Sequence, residues 1–557
     1  MSEGRPVRTA RIDVDAGADR GPLPRLWESI GYDEINWTYT PTGRSLLGSF
    51  GELTDRGFLV RPHYVFCSGT GLGLPHWGSG NVYHTDTDGN PFYDFTIVDQ
   101  VYDAIVEAGH HVLVELAFTP RDLLPDKAAE LTVPDSPTVY SAYEHGAWAY
   151  PPRDYDRWAD LVAAHARHCL ERYGADEVDT WLWELWNEPD ISYWRGTPEQ
   201  FHALYSVTAR AVRSVLPEAK VGGPAVTGGG DAFLRGFLAH TLAQGDPLDF
   251  VSFHTKGLIP DPWRVYGPTG GPSPKRQSPS LRKMIFEIRR HLRVIAEFEP
   301  YRRLPAIVDE CDAAVPAHFG VFDNADYGFQ NTAYYPVFQV KLMKKLLDLN
   351  DVEEVQVERA TSWSFYFEGE RCFEGTRAFL TAGGVEKPLL NAYRLLARLG
   401  PQRVAATSDA AWPLADLDAV GETIGLPEEV DVLATRDDAG GVTVAVWRHA
   451  DDQYRADDTA ACVDVVVHGL VDGPYLVRHL RIDAEHSNAH AVWRSLGAPD
   501  YPDAEQFEAL RARQGLEELA LARRVAAASG GLDIVIDLPL PAVSLLIIQP
   551  FTAHTVG

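Results

Sequence analysis

The sequence predicts an α/β protein, a (β/α)8 TIM barrel carrying an accessory β-sandwich, on three observations. Between residues 23 and 400, short apolar runs alternate eight times with longer segments of helical spacing, the rhythm of a parallel sheet joined by crossover helices. Two of those runs deliver glutamates, Glu188 and Glu310, and a barrel keeps its chemistry at the ends of its strands. Beyond Gly400 the rhythm stops, and short β-rich runs separated by turn residues take over, as in a sandwich of antiparallel sheets. A chain of 557 residues exceeds what one core ordinarily organises, so two units are expected. These are a barrel over 23–400, a sandwich with a helical insertion over 401–557, and an N-terminal strand within 1–22 that joins the sandwich.

Each element follows from local pattern. Residues 8–16 set Arg11, Asp13 and Asp15 against Ala10, Ile12 and Val14, the period-two alternation of a half-buried strand. Barrel strands are expected at 26–31, 58–66, 111–118, the run ending at Glu188, 220–226, 249–254, 304–310 and 355–367. The helices between and after them are expected at 45–56, 95–108, 155–173, 198–216, 231–244, 281–296, 331–349 and 389–399. Glu188 then belongs to strand four and Glu310 to strand seven, diagonal across the rim. In the C-terminal part, strands are expected at 430–433, 442–447, 462–467, 475–481, 532–536 and 543–548, with 506–527 read as a long, charged helix.

The stretch Trp181 to Asp190 is apolar and aromatic until Asn187-Glu188-Pro189, and proline, which cannot donate to a ladder, halts the strand there. The run from Leu304 similarly delivers Glu310. Two carboxyl groups at one barrel mouth suit glycosidic cleavage, in which one acid protonates the leaving oxygen and a second carboxylate works across the sugar ring. A carboxyl packed against Trp183 or Trp186 would have its charged form disfavoured, as an acid working near neutrality requires. Arg61 and His63 sit two apart on a strand and share a face; if that face points into the barrel mouth they contact substrate or orient a catalytic carboxylate, and otherwise Arg61 is a buried arginine bonded to a loop carbonyl. Cys311 is read as a small strand residue facing the other way. His165 and His168 are read as part of a solvated helix face rather than a metal site, lacking a third ligand. Arg289, Arg290 and Arg293 make a charged outer helix face, and Gly228-Gly229-Gly230 lacks the ending of a phosphate loop and reads as a rim loop.

Composition narrows the partners. Lys and Arg total 50 against 79 Asp and Glu, a net charge of −29, which repels nucleic acid and anionic membrane. The first residues lack the apolar core of a signal peptide, and no run of eighteen uninterrupted apolar residues occurs, so a cytoplasmic enzyme is expected. Five cysteines, odd in number and widely spaced, argue against a disulfide framework or a zinc site. The expected partner is a carbohydrate substrate, with no cofactor, no metal, no nucleic acid and no membrane. Association into a homo-oligomer is left open.

Trp186-Asn187-Glu188-Pro189 and Asp309-Glu310-Cys311-Asp312 resemble the acid/base and nucleophile motifs of glycoside hydrolase family 39, which contains β-xylosidases and α-L-iduronidases. Arg61-Pro62-His63, Gly222-Gly223-Pro224, the Ser252 to Gly257 segment, Lys387-Pro388 and the Ile482 to Asn488 segment fall in that family's order, so the resemblance covers nearly the whole chain. It implies a retaining mechanism with Glu188 as general acid/base and Glu310 as nucleophile, and Asn187 as donor to the sugar 2-hydroxyl. Asn187 could instead cap the turn before Pro189. His63 and His254 are expected to bind hydroxyls or hold the carboxylates, and Trp363 and Phe365 to line the sugar pocket. Lys256 matches a His-x-Lys-Gly of the iduronidase branch, whose lysine helps bind the sugar carboxylate. Arg377, with Arg371, could supply the fork that grips such a group. The other reading of Lys256 is a rim ion pair with Glu368, Glu370 or Glu374, and Glu368 stays among the candidate substrate contacts. A neutral pentoside and a uronide stand level. Two rivals remain, a non-catalytic carbohydrate-binding protein, which would need a glutamate lost, and a transglycosidase, which would keep both.

Overall fold

The structure is a computed structural model that describes residues 7–69, 78–126, 146–258, 276–315, 317, 319–366, 369–418, 425–455 and 457–551. Strand β1 (Thr9–Pro22) buries Ala10, Ile12, Val14 and Ala16 on one face and belongs to the C-terminal sheet. The barrel strands follow: β2 (Ser29–Tyr32), β3 (Leu59–Pro62), a side hairpin β4 (Tyr83–Thr85) and β5 (Pro91–Tyr93), then β6 (His111–Leu116), β7 (Leu182–Leu185), β8 (Lys220–Val226), β9 (Phe250–Leu258), β10 (Ala306–Ala314), β11 (Val357–Ala360) and β12 (Ser362–Trp363). Apart from the hairpin they form one all-parallel sheet in the order β11-β10-β9-β8-β7-β6-β3-β2-β12. The eighth strand, expected as one piece over 355–367, is two: β11 pairs with β10, and after Thr361 β12 pairs with β2. Ser362 lies opposite Ile30 and Trp363 opposite Gly31, which closes the ring. Barrel strands are covered on both faces, so they are buried almost without alternation; β2, β3, β9 and β10 are buried throughout.

The covering helices show why the pattern was readable. In Tyr155–Tyr173, Asp154 caps the start by accepting from the backbone N–H groups of Asp156 and Arg157, both at 3.0 Å, and Gly174, at φ 82°, ends it. Trp158, Leu161, Val162, His165 and Cys169 recur at helical spacing and are buried. His165 is therefore no solvated residue: it lies fully buried among Phe66, Phe95 and Trp183, and burial pushes its pKa down to about 3. His168 does sit nearer solvent, 2.6 Å from Asp99. Arg290 meets Asp231 at 2.8 Å and Arg293 meets Glu353 at 3.5 Å, as a charged outer helix face requires. No helix among the described residues is long and apolar enough to cross a membrane.

The second sheet contains β13 (Gln402–Ser408), β14 (Glu429–Arg436), β15 (Val442–His449), β16 (Asp457–His468), β17 (Gly473–Ile482), β18 (Glu517–Ala527), β19 (Gly531–Leu540) and β20 (Ala542–Pro550). With β1 between β13 and β16, the order is β18-β17-β20-β15-β14-β13-β1-β16-β19. This is the β-sandwich: Val14, Val432, Val444, Val465, Ile534 and Leu546 meet in one core. The long helix expected over 506–527 is a correction. The helix spans only Ala504–Arg511, and β18 follows it. The Leu, Glu, Ala and Arg of that run favour helix intrinsically, yet β18 is an edge strand paired with β17 on one side, and its charged, exposed residues suit an edge. Barrel and sandwich are joined by buried ion pairs from the helix Tyr334–Asn350. Lys341 lies 3.2 Å from Glu429, and Lys345 lies 2.9 Å from Asp431.

Candidate active site

Glu188 and Glu310 reach the barrel mouth by different routes. Strand β7 ends at Leu185, and Trp186 and Glu188 then adopt left-handed backbone, at φ 69° and 44°, a conformation uncommon for bulky side chains and characteristic of functional turns. The Glu188 N–H donates to the Ala225 carbonyl at 2.9 Å, which ties the turn to the next strand. Asp190 secures it again by accepting from the Thr227 N–H at 2.9 Å and the Thr227 hydroxyl at 2.5 Å. Glu310 lies inside β10, not at its end. A bulge at Asp309 shifts the register against β9, so that Val308 opposes Phe253 while Glu310 opposes His254. A bulge breaks strict alternation, and Asp309 and Glu310 both meet Arg61 inside the ring. Cys311, fully buried, packs in the apolar core behind them.

On β9, His254 and Lys256 point inward, and Thr255 between them donates to Glu287 at 2.6 Å on the outer helix Leu281–Ala296. Glu287 is thus a buried strut, although its sequence neighbours form an exposed charged face. His254 Nδ1 is 2.8 Å from Glu188 Oε1 and 3.7 Å from Glu310 Oε1. One oxygen of each glutamate and a His254 nitrogen all lie within 4.8 Å of one another. Lys256 Nζ donates to Glu310 at 2.5 Å and to Asp312 at 2.6 Å. Glu188, His254 and Glu310 could together face a cation, but the Lys256 ammonium and the Arg61 guanidinium already sit on the Glu310 carboxylate, and a cation would have to oppose them.

Beneath the mouth, Arg61 is fully buried and surrounded by acids: Glu184 at 2.7 Å, Glu115 at 3.1 Å, Asp309 at 3.4 Å and Glu310 at 3.5 Å. It also donates to Asn187 Oδ1 at 3.1 Å, which fixes that amide beside Glu188. Four carboxylates cannot all be ionised around one guanidinium. Burial pushes Glu115 well above the ordinary range and Glu184 up to about 8, against the pull of Arg61. Burial also acts on Glu310, but His254, Lys256, Arg61 and His63 outweigh it and hold the carboxyl well below the usual range. His254 is displaced the other way: burial disfavours its charge, and Glu310, Asp309 and Glu188 raise its pKa to about 10. The site thus contains carboxyl groups in two protonation states, set by which cations each one faces.

The remaining candidates divide. His63 is buried between Asp33 at 2.8 Å and Glu115 at 3.2 Å. Trp363 donates from its indole to Asp33 at 3.1 Å and from its backbone to Asp312 at 2.8 Å, and its ring fits because Gly31 has no side chain: a Cβ there would come within 2.5 Å. Phe365 is not at the mouth. It is fully buried, stacked on Tyr32 at 4.1 Å, and packs in the main hydrophobic core. Arg377 is likewise buried, 3.1 Å from Asp312, donating to the Trp363 carbonyl at 2.8 Å and also to that of Ala314, and Arg371 covers Phe322 at 4.2 Å. Glu368 lies outside the described residues. Trp183 and Trp186 do not line the hollow: both are fully buried, since alternation on β7 turns Trp183 to the helices and Glu184 to the interior. Asp33 was missed by sequence reasoning, and its only signal is its place just after the first strand. Tyr193, which faces Glu188 and Glu310, had no signal beyond its aromatic ring.

The sequence pattern of glycosyl hydrolases family 39 matches residues 76–518. The chain is 27% identical over 493 residues to a β-xylosidase of Geobacillus stearothermophilus, covering 86% of each. It is 26% identical over 577 residues to the α-L-iduronidase of Homo sapiens, covering 96% of this chain and 78% of that one. The fold matches the crystal structure of a monomeric β-xylosidase from Caulobacter crescentus CB15, with TM-score 0.74 at 22% identity, covering 97% of this chain and all of the other. It matches a bacterial orthologue of human α-L-iduronidase with TM-score 0.75 at 22% identity, covering 98% and 84%. With the family pattern spanning most of the sequence and the two glutamates meeting across one barrel mouth, the protein belongs to glycosyl hydrolases family 39.

Proposed function

We propose that the protein is a retaining glycoside hydrolase that removes a terminal sugar from an oligosaccharide or glycoside, with Glu310 as nucleophile and Glu188 as acid/base. The observation that carries this is the approach of the two carboxyl groups, with oxygens within 4.8 Å. Retention needs roughly 5–5.5 Å, whereas an inverting pair stands roughly 6.5–9.5 Å apart to admit a water. Ionised Glu310 attacks the anomeric carbon. The bond to the leaving oxygen breaks, and that oxygen takes the proton of Glu188. A water deprotonated by Glu188 then hydrolyses the glycosyl ester and releases Glu310. Asn187, whose amide oxygen accepts from Arg61, takes the role of donor to the sugar 2-hydroxyl in this scheme. Trapping with a 2-deoxy-2-fluoro glycoside tests the scheme: peptide mapping should find the label on Glu310, and a label elsewhere or none refutes it.

The sugar is read as neutral and xylose-like. The cations at the mouth are spoken for, Lys256 by Glu310 and Asp312 and Arg377 by Asp312 and two carbonyls, so a uronate would have to displace an internal carboxylate. A second reading has its own support, since a buried ammonium beside the nucleophile is the group a uronic acid would seek. Aryl β-xyloside, α-L-arabinoside, β-galactoside, α-L-iduronide and β-glucuronide, assayed with wild type and Lys256→Met, separate the two. Hydrolysis of the neutral xyloside supports the first, and uronide hydrolysis lost with the lysine supports the second. Adding an alcohol acceptor shows whether transfer competes with hydrolysis. Cytoplasmic placement is part of the same proposal, supported by five cysteines that all remain free, Cys462 exposed among them.

A further inference from the structure

His254 stands between the two glutamates with a buried carboxylate behind it. Nδ1 faces Glu188 at 2.8 Å and Glu310 at 3.7 Å, and Nε2 faces Asp309 at 3.4 Å. Asp309 is fully buried, and its other cation is Arg61 at 3.4 Å. The mechanism above gives this aspartate no task, although it sits at the β10 bulge and meets Arg61 beside the nucleophile.

We propose that Asp309 and His254 form a charge-exchange pair: Asp309 keeps His254 an imidazolium, and the imidazolium changes partner from Glu310 to Glu188 as the glycosyl-enzyme forms. The inference rests on the roles given to Glu188 and Glu310 above. In the free enzyme, Glu310 is ionised and Glu188 carries its proton, so the imidazolium is balanced by the nucleophile. In the first step the Glu310–anomeric carbon bond forms, the glycosidic bond breaks with its electron pair leaving on oxygen, and that oxygen takes the Glu188 proton. Glu310 is now a neutral ester, Glu188 a carboxylate, and His254 an unchanged cation. One negative charge has left the nucleophile and one has appeared on the acid/base, 2.8 Å from the same imidazolium. That pairing favours the ionised form of Glu188, the form that must deprotonate water in the second step. Every other charged group facing His254 fits this balance. Lys256, two residues along β9, is held by Glu310 and Asp312. His291, on the outer helix, is kept neutral by burial, which pushes its pKa down to about 4. Arg61 shares two carboxylates with His254, Asp309 at 3.4 Å and Glu310 at 3.5 Å.

The test uses Asp309→Asn in the full-length enzyme with a dinitrophenyl glycoside, whose leaving group needs no acid, so that hydrolysis of the glycosyl-enzyme limits kcat. The acid limb of kcat then reports Glu188 in that intermediate, and it should move up by about 1 unit or more. Azide, which needs no general base, should restore turnover and give a glycosyl azide of retained configuration. His254→Gln, which removes the charge directly, should show the same limb shift and the same rescue, and serves if Asp309→Asn does not fold. An unmoved acid limb, or a loss that azide leaves untouched, overturns the proposal and makes Asp309 a packing residue. Fluoroglycoside labelling of wild-type Glu310 separates the two levels. If the label is absent, the retaining reading itself fails. If it is present while both variants keep the wild-type limb, only the charge-exchange pair fails.

Discussion

Replacing Lys256 by methionine keeps the side chain's length and apolar stem and removes one charge from the middle of the site. Its ammonium is buried and contacts Glu310 at 2.5 Å and Asp312 at 2.6 Å. An opposite charge at such range lowers a carboxyl pKa by about 1–3 units. Glu310 would keep His254 at 3.7 Å and Arg61 at 3.5 Å, so the rise should fall in the lower part of that range. At pH 7 the nucleophile therefore stays ionised, and hydrolysis of a neutral glycoside survives. The acid limb of kcat/KM should move up by about 1–2 units. Stability changes in the same direction. A carboxyl whose folded pKa is depressed stabilises the fold above its unfolded pKa, and this contribution is lost as pH falls. The variant should thus lose less stability than wild type on acidification, from a lower starting point. Breaking a buried pair costs about 3–5 kcal/mol, and here the low end is expected because Asp312 retains Arg377 at 3.1 Å. The assay is kcat/KM for an aryl xyloside between pH 3 and 8, alongside thermal unfolding at each pH. An acid limb that stays in place while the melting temperature falls would show that Lys256 holds the strands together without setting the charge of Glu310.

Three other outcomes follow from the same geometry. Glu188→Ala should lose about 10²–10⁴-fold with poor leaving groups, the usual contribution of a positioned acid, and far less with dinitrophenyl glycosides; an equal loss across leaving groups would remove Glu188 from proton transfer. Glu184 has its pKa raised by burial to about 8, so its contribution to stability is full below pH 4.5 and is lost as pH rises through 8. Glu184→Gln, already neutral, should flatten the melting temperature between pH 5 and 8, and an unchanged slope would contradict the assignment. Lys345→Met removes a fully buried cation placed 2.9 Å from Asp431 and 3.4 Å from Glu429; denaturant unfolding should show a loss of about 3–5 kcal/mol with kcat/KM of the folded enzyme unaltered.

Much of this architecture was legible because barrels impose strong local signals. Helices 155–173, 231–244 and 281–296 were bounded to the residue, since each presents a periodic apolar face, and their terminal turns carry such signals as Asp154, Ser280 and the left-handed Gly245. What was not legible depended on partners distant in sequence. The 506–527 run has the composition of a helix throughout, yet Glu517–Ala527 is a strand because β17 offers it a ladder. Sequence alone leaves Trp183 and Trp186 as candidates to pack against the Glu188 carboxyl and Phe365 as a pocket wall, because an aromatic ring reads the same whether it faces a core or a cavity.

The charge network under the site was hidden for a different physical reason. Arg61, Glu115, Glu184, Asp309 and Glu310 lie on four separate strands, and each read singly is a polar residue inside an apolar run. Only the closed ring makes them neighbours, and once they are neighbours their protonation ceases to be a property of residue type. Glu310 is driven below the carboxylate range and Glu184 above it, although both are glutamates at least nine-tenths buried in the same barrel. The difference lies in the cations: His254 and Lys256 both approach Glu310, whereas Glu184 has Arg61 alone and shares it with three other acids. A nucleophile at this position is therefore specified less by its own identity than by His254 and Lys256 on the neighbouring strand. Transplanting the glutamate pair onto another barrel without them should give two carboxyl groups at the right separation and no ionised nucleophile.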